Sequence, residues 1–128
     1  AISTGHLLCR YWANEKWGHP ASDKYWRKYP RYALDVWDYL DYLDIRLDVV
    51  LIDGRFRTAC FIATCVRARE KVRILLDDYK GRPYKHTIEA VVTPQLFVGR
   101  MAVFDIHPNT FIQRWNLRDL VSSFYNSR

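Results

Sequence analysis

The sequence has few of the residues that build compact chemical motifs. Of its 128 residues, five are glycine, three are cysteine and one is methionine. It contains no P-loop, no Gly-x-Ser-x-Gly nucleophile elbow, no internal repeat and no low-complexity linker. No apolar stretch approaches the roughly 20 residues that a membrane-spanning helix needs. These absences argue against P-loop nucleotide hydrolases, hydrolases with a serine elbow, repeat proteins and membrane-spanning helices.

The three cysteines, Cys9, Cys60 and Cys65, form neither a Cys-x-x-Cys pair nor an even disulfide framework. Cys60 and Cys65 lie in an apolar segment where a free thiol is usually inert, although a nucleophilic pair with His86 stays open. The four histidines lack the spacing of metal ligands. We therefore expect an intracellular reducing compartment, and a basic start without Met is compatible with an organelle such as the mitochondrion.

The chain carries a net charge of +6, and aromatic residues make up 16% of it. Its basic residues are scattered among 14 acids without a run of five, which favours a solvated or ion-pairing surface over a nucleic-acid groove. Such an aromatic surplus predicts rings on surfaces that meet other proteins. Residues 24–32 interleave Lys, Arg, Tyr and Trp, so an RNA-binding module is a weaker alternative.

Hydrophobic periodicity predicts one α/β domain over 1–128, with an irregular aromatic-rich segment over 1–30, an α/β core over 31–106 and an amphipathic C-terminal helix within 107–128. The predicted elements are helices over 31–44, 56–69, 84–92 and 110–126, parallel strands over 48–53 and 72–76, and an antiparallel hairpin of strands over 95–98 and 101–106. A strand, helix and strand within about 30 residues indicate a right-handed parallel crossover.

Three carboxylates follow the two parallel strands of this crossover. Asp53 ends the run Val-Val-Leu-Ile, and Asp77 and Asp78 follow Ile-Leu-Leu. Parallel strands end at the same edge of a sheet, where ligands of open α/β folds bind. If the strands are neighbours, the carboxylates lie about 5 Å apart in the pairing direction. They would share a proton, pair with arginines or hold a hard cation such as magnesium.

Basic residues surround the same edge. Arg55 and Arg57 stand at the start of the second helix, where positive charge is disfavoured and an anionic neighbour is expected. Arg82 follows the second strand, and His86 lies in the next helix. These four residues are candidates for binding an anion or a substrate, although pairing with the aspartates of the chain itself is the simpler explanation for the arginines.

A separate acidic face is predicted on the first helix, 31–44. Its four aspartates recur every three residues, at positions 35, 38, 41 and 44. Calcium loops need close, turn-like spacing and a glycine, which this segment lacks. We expect either a solvated face or one docked on basic groups.

The order of elements from residue 48 resembles the C-terminal half of a class I S-adenosylmethionine-dependent methyltransferase. Residues 50–54 resemble the fourth strand of that Rossmann-like fold, and residues 74–79 resemble the fifth. The chain is also similar to small bacterial methyltransferase-like proteins over about 17–106. The motifs that carry this similarity are Trp17-Gly18-His19-Pro20, Tyr29-Pro30-Arg31-Tyr32, Asp53-Gly54-Arg55-Phe56-Arg57, Asp77-Asp78-Tyr79, Arg82-Pro83 and Gly99-Arg100-Met101-Ala102.

The resemblance implies a truncated sheet. A full methyltransferase of this class binds its cofactor through an earlier strand and a glycine-rich turn, neither of which the sequence shows. Some members hold magnesium at positions that correspond to Asp53, Asp77 and Asp78. Without the cofactor lobe, we expect neither S-adenosylmethionine nor magnesium to bind this chain alone.

We therefore expect a degenerate, non-catalytic methyltransferase-like half domain that serves as an accessory subunit of a larger protein assembly. Its partners would be other proteins, bound through the aromatic N-terminal segment and the C-terminal helix. The alternative is a methyltransferase, assisted by magnesium, whose cofactor lobe is not in this chain.

Overall fold

A computed structural model of the chain describes residues 20–107 and 114–127. In these two ranges a short 3-10 helix, four α-helices and four β-strands follow one another. They are the 3-10 helix Asp23–Lys28, α1 (Tyr29–Tyr42), β1 (Val49–Ile52), α2 (Arg57–Arg67), β2 (Val72–Leu76), α3 (Lys85–Glu89), β3 (Leu96–Val98), β4 (Met101–Ile106) and α4 (Leu117–Ser123).

The four strands form one mixed sheet in the order β1-β2-β4-β3. β1 and β2 are parallel, with Val50 opposite Ile74, and α2 is the crossover between them. β4 runs antiparallel to both β2 and β3. The predicted α/β class, with parallel strands, a C-terminal antiparallel hairpin and flanking helices, is confirmed.

α2 is the central helix of the core. All of its residues over 57–65 are buried, as its long apolar run predicts. Phe61 packs edge-to-face on Phe104 of β4, with ring centroids 4.8 Å apart, and Tyr79 packs on the other side of the same cluster, 5.6 Å from Phe104. A fully buried large apolar side chain contributes roughly 1.5–3 kcal/mol, so this cluster fixes the helix on β2 and β4.

Ion pairs join α1 to the C-terminal end of α2. Arg67 lies 2.8 Å from both Asp38 and Asp41. Arg69 lies 3.2 Å from Asp41 and 3.3 Å from Asp44. Three of the four aspartates of the predicted acidic face therefore dock on Arg67 and Arg69, and the fourth, Asp35, pairs with Arg31 of the same helix.

The C-terminal helix is shorter than predicted. Within the described part of the segment expected to be helical over 110–126, the α-helix spans Leu117–Ser123, and the Asn116 side chain caps its start by accepting a hydrogen bond of 2.8 Å from the Asp119 N–H. Trp115 precedes the helix and is buried, and its Nε1 donates to the Thr87 carbonyl at 3.1 Å. The expected apolar stripe is therefore broken, and residues 108–113 of the prediction lie outside the described residues.

The observed boundaries of other elements differ from the predicted ones by a few residues. The helix expected over 84–92 is the short α3, because a turn at residues 90 and 91 follows Glu89. Within the segment expected to be irregular over 1–30, residues 23–28 form a 3-10 helix and α1 begins at Tyr29, with Pro30 in its first turn. Residues 1–19 of that segment lie outside the described residues. None of the helices in the described ranges is long and apolar enough to cross a membrane.

Candidate functional site

The turn between β1 and α2 has an unusual backbone. Phe56, at the N-cap of α2, has a φ of 51° and a ψ of 42°, in the left-handed region that bulky residues rarely adopt. Its ring is fully buried and lies 5.3 Å from the ring of Tyr29 and 5.2 Å from that of Tyr32. The Tyr32 hydroxyl also accepts a hydrogen bond from the Arg55 N–H at 3.1 Å. Aromatic packing from α1 therefore holds this turn in place.

Arg57 joins the ends of the two parallel strands. Its Nε donates to the Gly54 carbonyl at 3.0 Å, and its Nη1 donates to the Asp77 carbonyl. Its Nη2 lies 3.5 Å from the Asp53 carboxylate. Because the side chain is almost buried, these contacts fix the guanidinium group between the strand ends.

Asp53 and Asp77 are brought together at the carboxyl edge of the sheet, where the sequence places them. Burial raises the pKa of Asp53, the charge of Asp77 raises it further, and the nearby Arg57 opposes both effects. Asp53 is therefore easier to protonate than a carboxylate in water.

Asp78 has a different environment. It adopts a φ of 53°, and its carboxylate contacts the guanidinium groups of Arg82 and Arg100. The hydrogen bond from Arg82 is the main reason that the pKa of Asp78 is lowered. Its carbonyl accepts a hydrogen bond of 2.6 Å from the hydroxyl of Tyr84. Asp78 is thus a carboxylate held between two arginines.

Arg100 was not predicted as a site residue. The β3–β4 turn brings it to this edge because β4 runs antiparallel to β2 and starts where β2 ends. The Arg100 carbonyl accepts a hydrogen bond of 2.8 Å from the Tyr79 N–H. The sequence predicts the hairpin but not its pairing with β2, and that pairing was the missing step that would have identified this residue.

These side chains line an open cleft of about 660 Å³ at the carboxyl ends of β1 and β2. Its lining residues are Asp53, Arg55, Arg57, Asp77, Asp78, Arg82 and Arg100. Six of the seven candidates named from the sequence are among them. The seventh, His86, lies exposed on α3, outside the lining.

The arrangement does not fit a magnesium ion. In the described ranges, no group of three or more His, Cys, Asp or Glu side chains could hold a metal ion. Asp78 is engaged by two guanidinium groups instead, and Asp53 faces Arg57. A dication would have to displace these positive groups, so we assign no step to a metal.

The thiols of α2 are unsuited to nucleophilic chemistry. Cys60 and Cys65 are buried, and burial raises the pKa of each to about 12. At neutral pH they therefore stay protonated. A nucleophilic pair of either thiol with the exposed His86 gains no support from this environment.

The aromatic and basic stretch over 24–32 is largely committed to contacts within the chain. Lys24 and Lys28 lie over the ring of Tyr25, at 5.4 and 5.3 Å from its centroid. The rings of Tyr29 and Tyr32 are buried in the core. Two of the rings that the RNA-binding alternative would use for stacking are therefore inaccessible to bases.

Comparisons with known proteins agree with the fold and are otherwise sparse. No protein-family model and no curated protein match the chain. Its structure does match the crystal structure of a methyltransferase-like protein from Silicibacter pomeroyi, with a TM-score of 0.77 and 37% sequence identity. The chain therefore has a methyltransferase-like fold. The match covers 91% of this chain but spans only 58% of the length of that protein.

Proposed function

We propose that this chain is a non-catalytic, methyltransferase-like accessory domain that is completed by docking on a polypeptide partner. The observation that carries the proposal is an apolar face of the sheet that stays exposed, which we call the open sheet face. Its exposed side chains are Val49, Leu51, Leu96 and Val98 on the two outer strands, and between them lie the half-buried Leu75 and Met101, the buried Val103 and the ion pair Arg73–Asp105.

Strand alternation explains why this face is distinct from the core. Val50 and Ile52 of β1 point into the core, so their neighbours along the strand point to the other side. Val49 and Leu51 are 45% and 42% exposed, and Leu96 and Val98 on β3 are 47% and 62% exposed. Parallel sheets normally have both faces covered, and exposed apolar patches of this kind mark interaction sites.

The edge of the sheet supports the same conclusion. Within the described residues, β1 pairs with β2 on one side only. An exposed, apolar edge strand is a template for pairing with another strand. α4, which was expected to be a partner surface, contacts α2, and its exposed Leu117 and Val121 remain available for further contacts.

The partner that fits is a polypeptide segment that adds a strand beside β1 and apolar side chains over the open sheet face. The methyltransferase-like protein from Silicibacter pomeroyi is longer than the region that this chain matches, so a fold of this kind accommodates further segments. The equivalent segment would belong to another subunit or to the same polypeptide. The paired charges of the cleft support an accessory role over turnover.

A second candidate is a methyltransferase whose methyl donor is bound by such an additional segment. It is favoured by the cleft at the carboxyl edge of the sheet and by the similarity to a methyltransferase-like protein. S-adenosylmethionine, with or without magnesium, would then bind only to the completed assembly. In a calorimetric titration of the completed assembly, the accessory role predicts no heat from either ligand, whereas the methyltransferase predicts heat from S-adenosylmethionine.

Site-specific photo-crosslinking in the native source tests the occupant of the open sheet face. A photoreactive residue at Leu51 is expected to form a conjugate with one defined polypeptide segment, identified by mass spectrometry. The substitution Val98→Asp should abolish that conjugate, because it places a charge on the same face. The same probe at Tyr42, which is more exposed but lies on α1, serves as the control.

The other outcomes of this experiment contradict the proposal. A conjugate between two copies of this chain would show a homodimer face. Crosslinking at Leu51 that does not exceed the Tyr42 control, or that persists with Val98→Asp, would show that no specific partner covers the face.

A further inference from the structure

The arginines of the cleft converge from separate parts of the fold. Arg57 begins α2, Arg82 follows β2, and Arg100 lies in the β3–β4 turn. Arg55 lines the same cleft. Guanidinium groups repel one another, so anions placed among these four arginines stabilise the cluster.

Two features prepare this place for a negatively charged group. The N-terminus of α2 has no side-chain cap, because Phe56 occupies the N-cap position. The first backbone N–H groups of a helix attract anions. Arg57 is held next to this terminus by the carbonyls of Gly54 and Asp77, so its position does not depend on a ligand.

The chain already places one anion in the cleft. The Asp78 carboxylate contacts Arg82 through one oxygen and Arg100 through the other. Both arginines have largely exposed side chains, so they are free to turn toward a second carboxylate or phosphate. Each guanidinium group has five N–H donors and can bind an oxyanion in a bidentate manner.

We propose that this cleft binds a small molecule through a carboxylate or phosphate group, which contacts Arg57, Arg82 and Arg100 in competition with the side chain of Asp78. The volume of about 660 Å³ is in the range of small-molecule sites, so the ligand is larger than the oxyanion itself. Asp53 and Asp77 line the same cleft, so the rest of the ligand would lie beside their carboxyl groups. This inference does not depend on the open sheet face.

Titration with two simple oxyanions tests the proposal and shows whether the cleft prefers a phosphate or a carboxylate group. Inorganic phosphate and succinate are added separately to the protein at constant ionic strength, and NMR shifts of backbone amides report binding. We expect saturable binding with shifts confined to residues of the cleft. Whichever of the two saturates at the lower concentration identifies the preferred group.

Two double variants separate specific binding from screening of charge. Arg82→Gln with Arg100→Gln should weaken binding by about tenfold or more, because two bidentate contacts are lost. Arg46→Gln with Arg118→Gln removes the same charge from exposed positions outside the cleft and should leave the affinity unchanged. An equal loss in both double variants, or no saturation in the native chain, would overturn the proposal.

The substitution Asp78→Asn tests the competition itself. Asparagine tolerates the left-handed backbone of this position, and the Tyr84 hydroxyl bonds only the main chain of Asp78. We therefore expect a folded protein that binds the oxyanion several-fold more tightly. Weaker binding by this variant would show that Asp78 positions the arginines, and competition would be contradicted.

Discussion

Phe56 joins β1 to α2 in a conformation that a β-carbon disfavours. The left-handed region costs an L-residue roughly 1–2 kcal/mol, and such strain persists only where the surroundings fix it. At Phe56 the surroundings are the rings of Tyr29 and Tyr32. The packing of the Phe56 ring thus holds the turn after β1 that carries Arg55 and Arg57.

Substitutions of Phe56 should show this strain directly. Phe56→Ala removes a fully buried ring and should lower the free energy of unfolding by about 3–5 kcal/mol. Phe56→Gly should cost about 1 kcal/mol less, because glycine adopts a positive φ freely. Urea denaturation of both variants measures the difference.

Phe61 provides the matched control, because it is equally buried but lies inside α2. There glycine is less favourable than alanine by about 1 kcal/mol, so the order of the two variants should be reversed. The same order at both positions would contradict a strained turn at Phe56.

At the scale of secondary-structure elements, α1 and α2 are joined by charge as well as by packing. Asp41 lies between Arg67 and Arg69, and the hydrogen bond from Arg67 is the main cause of its lowered pKa. A carboxyl group whose pKa is lowered by folding stabilises the fold above its unfolded pKa. That contribution is lost as the pH falls through the folded pKa.

Replacement of Arg67 by Gln should therefore lower the melting temperature slightly at pH 7 and low salt. The loss should shrink in high salt, because the partners are exposed. It should also shrink as the pH falls below the ordinary pKa of aspartate, and it should disappear below the lowered pKa of Asp41 in the native chain, where Asp41 is protonated in both proteins. Thermal unfolding monitored by circular dichroism over this pH range is the measurement.

Arg31→Gln is the control, because Arg31 pairs with Asp35 at 3.0 Å within α1 itself. Its effect should be smaller than that of Arg67, since the Arg31–Asp35 pair lies within a single helix whereas Arg67 joins two helices. Equal effects of the two variants would show that the pairs between helices add nothing to the packing of α1 on α2.

The elements with strong apolar patterns could be predicted from the sequence. β1, β2 and α2 coincide with continuous apolar runs, and the two strands of the hairpin are joined by the turn at Gly99. α4 was predicted too long because apolar periodicity continues across Asn116, whose side chain caps the helix. Periodicity records which side chains are apolar, whereas a cap depends on local hydrogen bonds.

Some residues of the cleft could be predicted from the sequence, and others could not. Asp53 and Asp77 end parallel strands, so topology alone brings them together. The position of Arg100 depends on the register of β4 against β2, and the strained backbone of Phe56 depends on the packing of its ring against α1. Contacts that arise from tertiary packing leave no pattern in a single sequence.

At the scale of the whole molecule, the chain combines a methyltransferase-like fold with a sheet whose second face is apolar and exposed. The core lies on one side, between the sheet and α1 and α2. The charged cleft lies at the carboxyl edge of the same sheet. A partner on the open sheet face would complete the fold and leave that edge accessible.

The most direct test of this account is light scattering coupled to size-exclusion chromatography of the isolated chain. Without its partner, the open sheet face should drive association, so the apparent mass should rise with concentration. Leu51→Asp with Val98→Asp should restore a folded monomer, whereas Tyr42→Asp should not. A native chain that is folded and monomeric at every concentration would contradict the central claim.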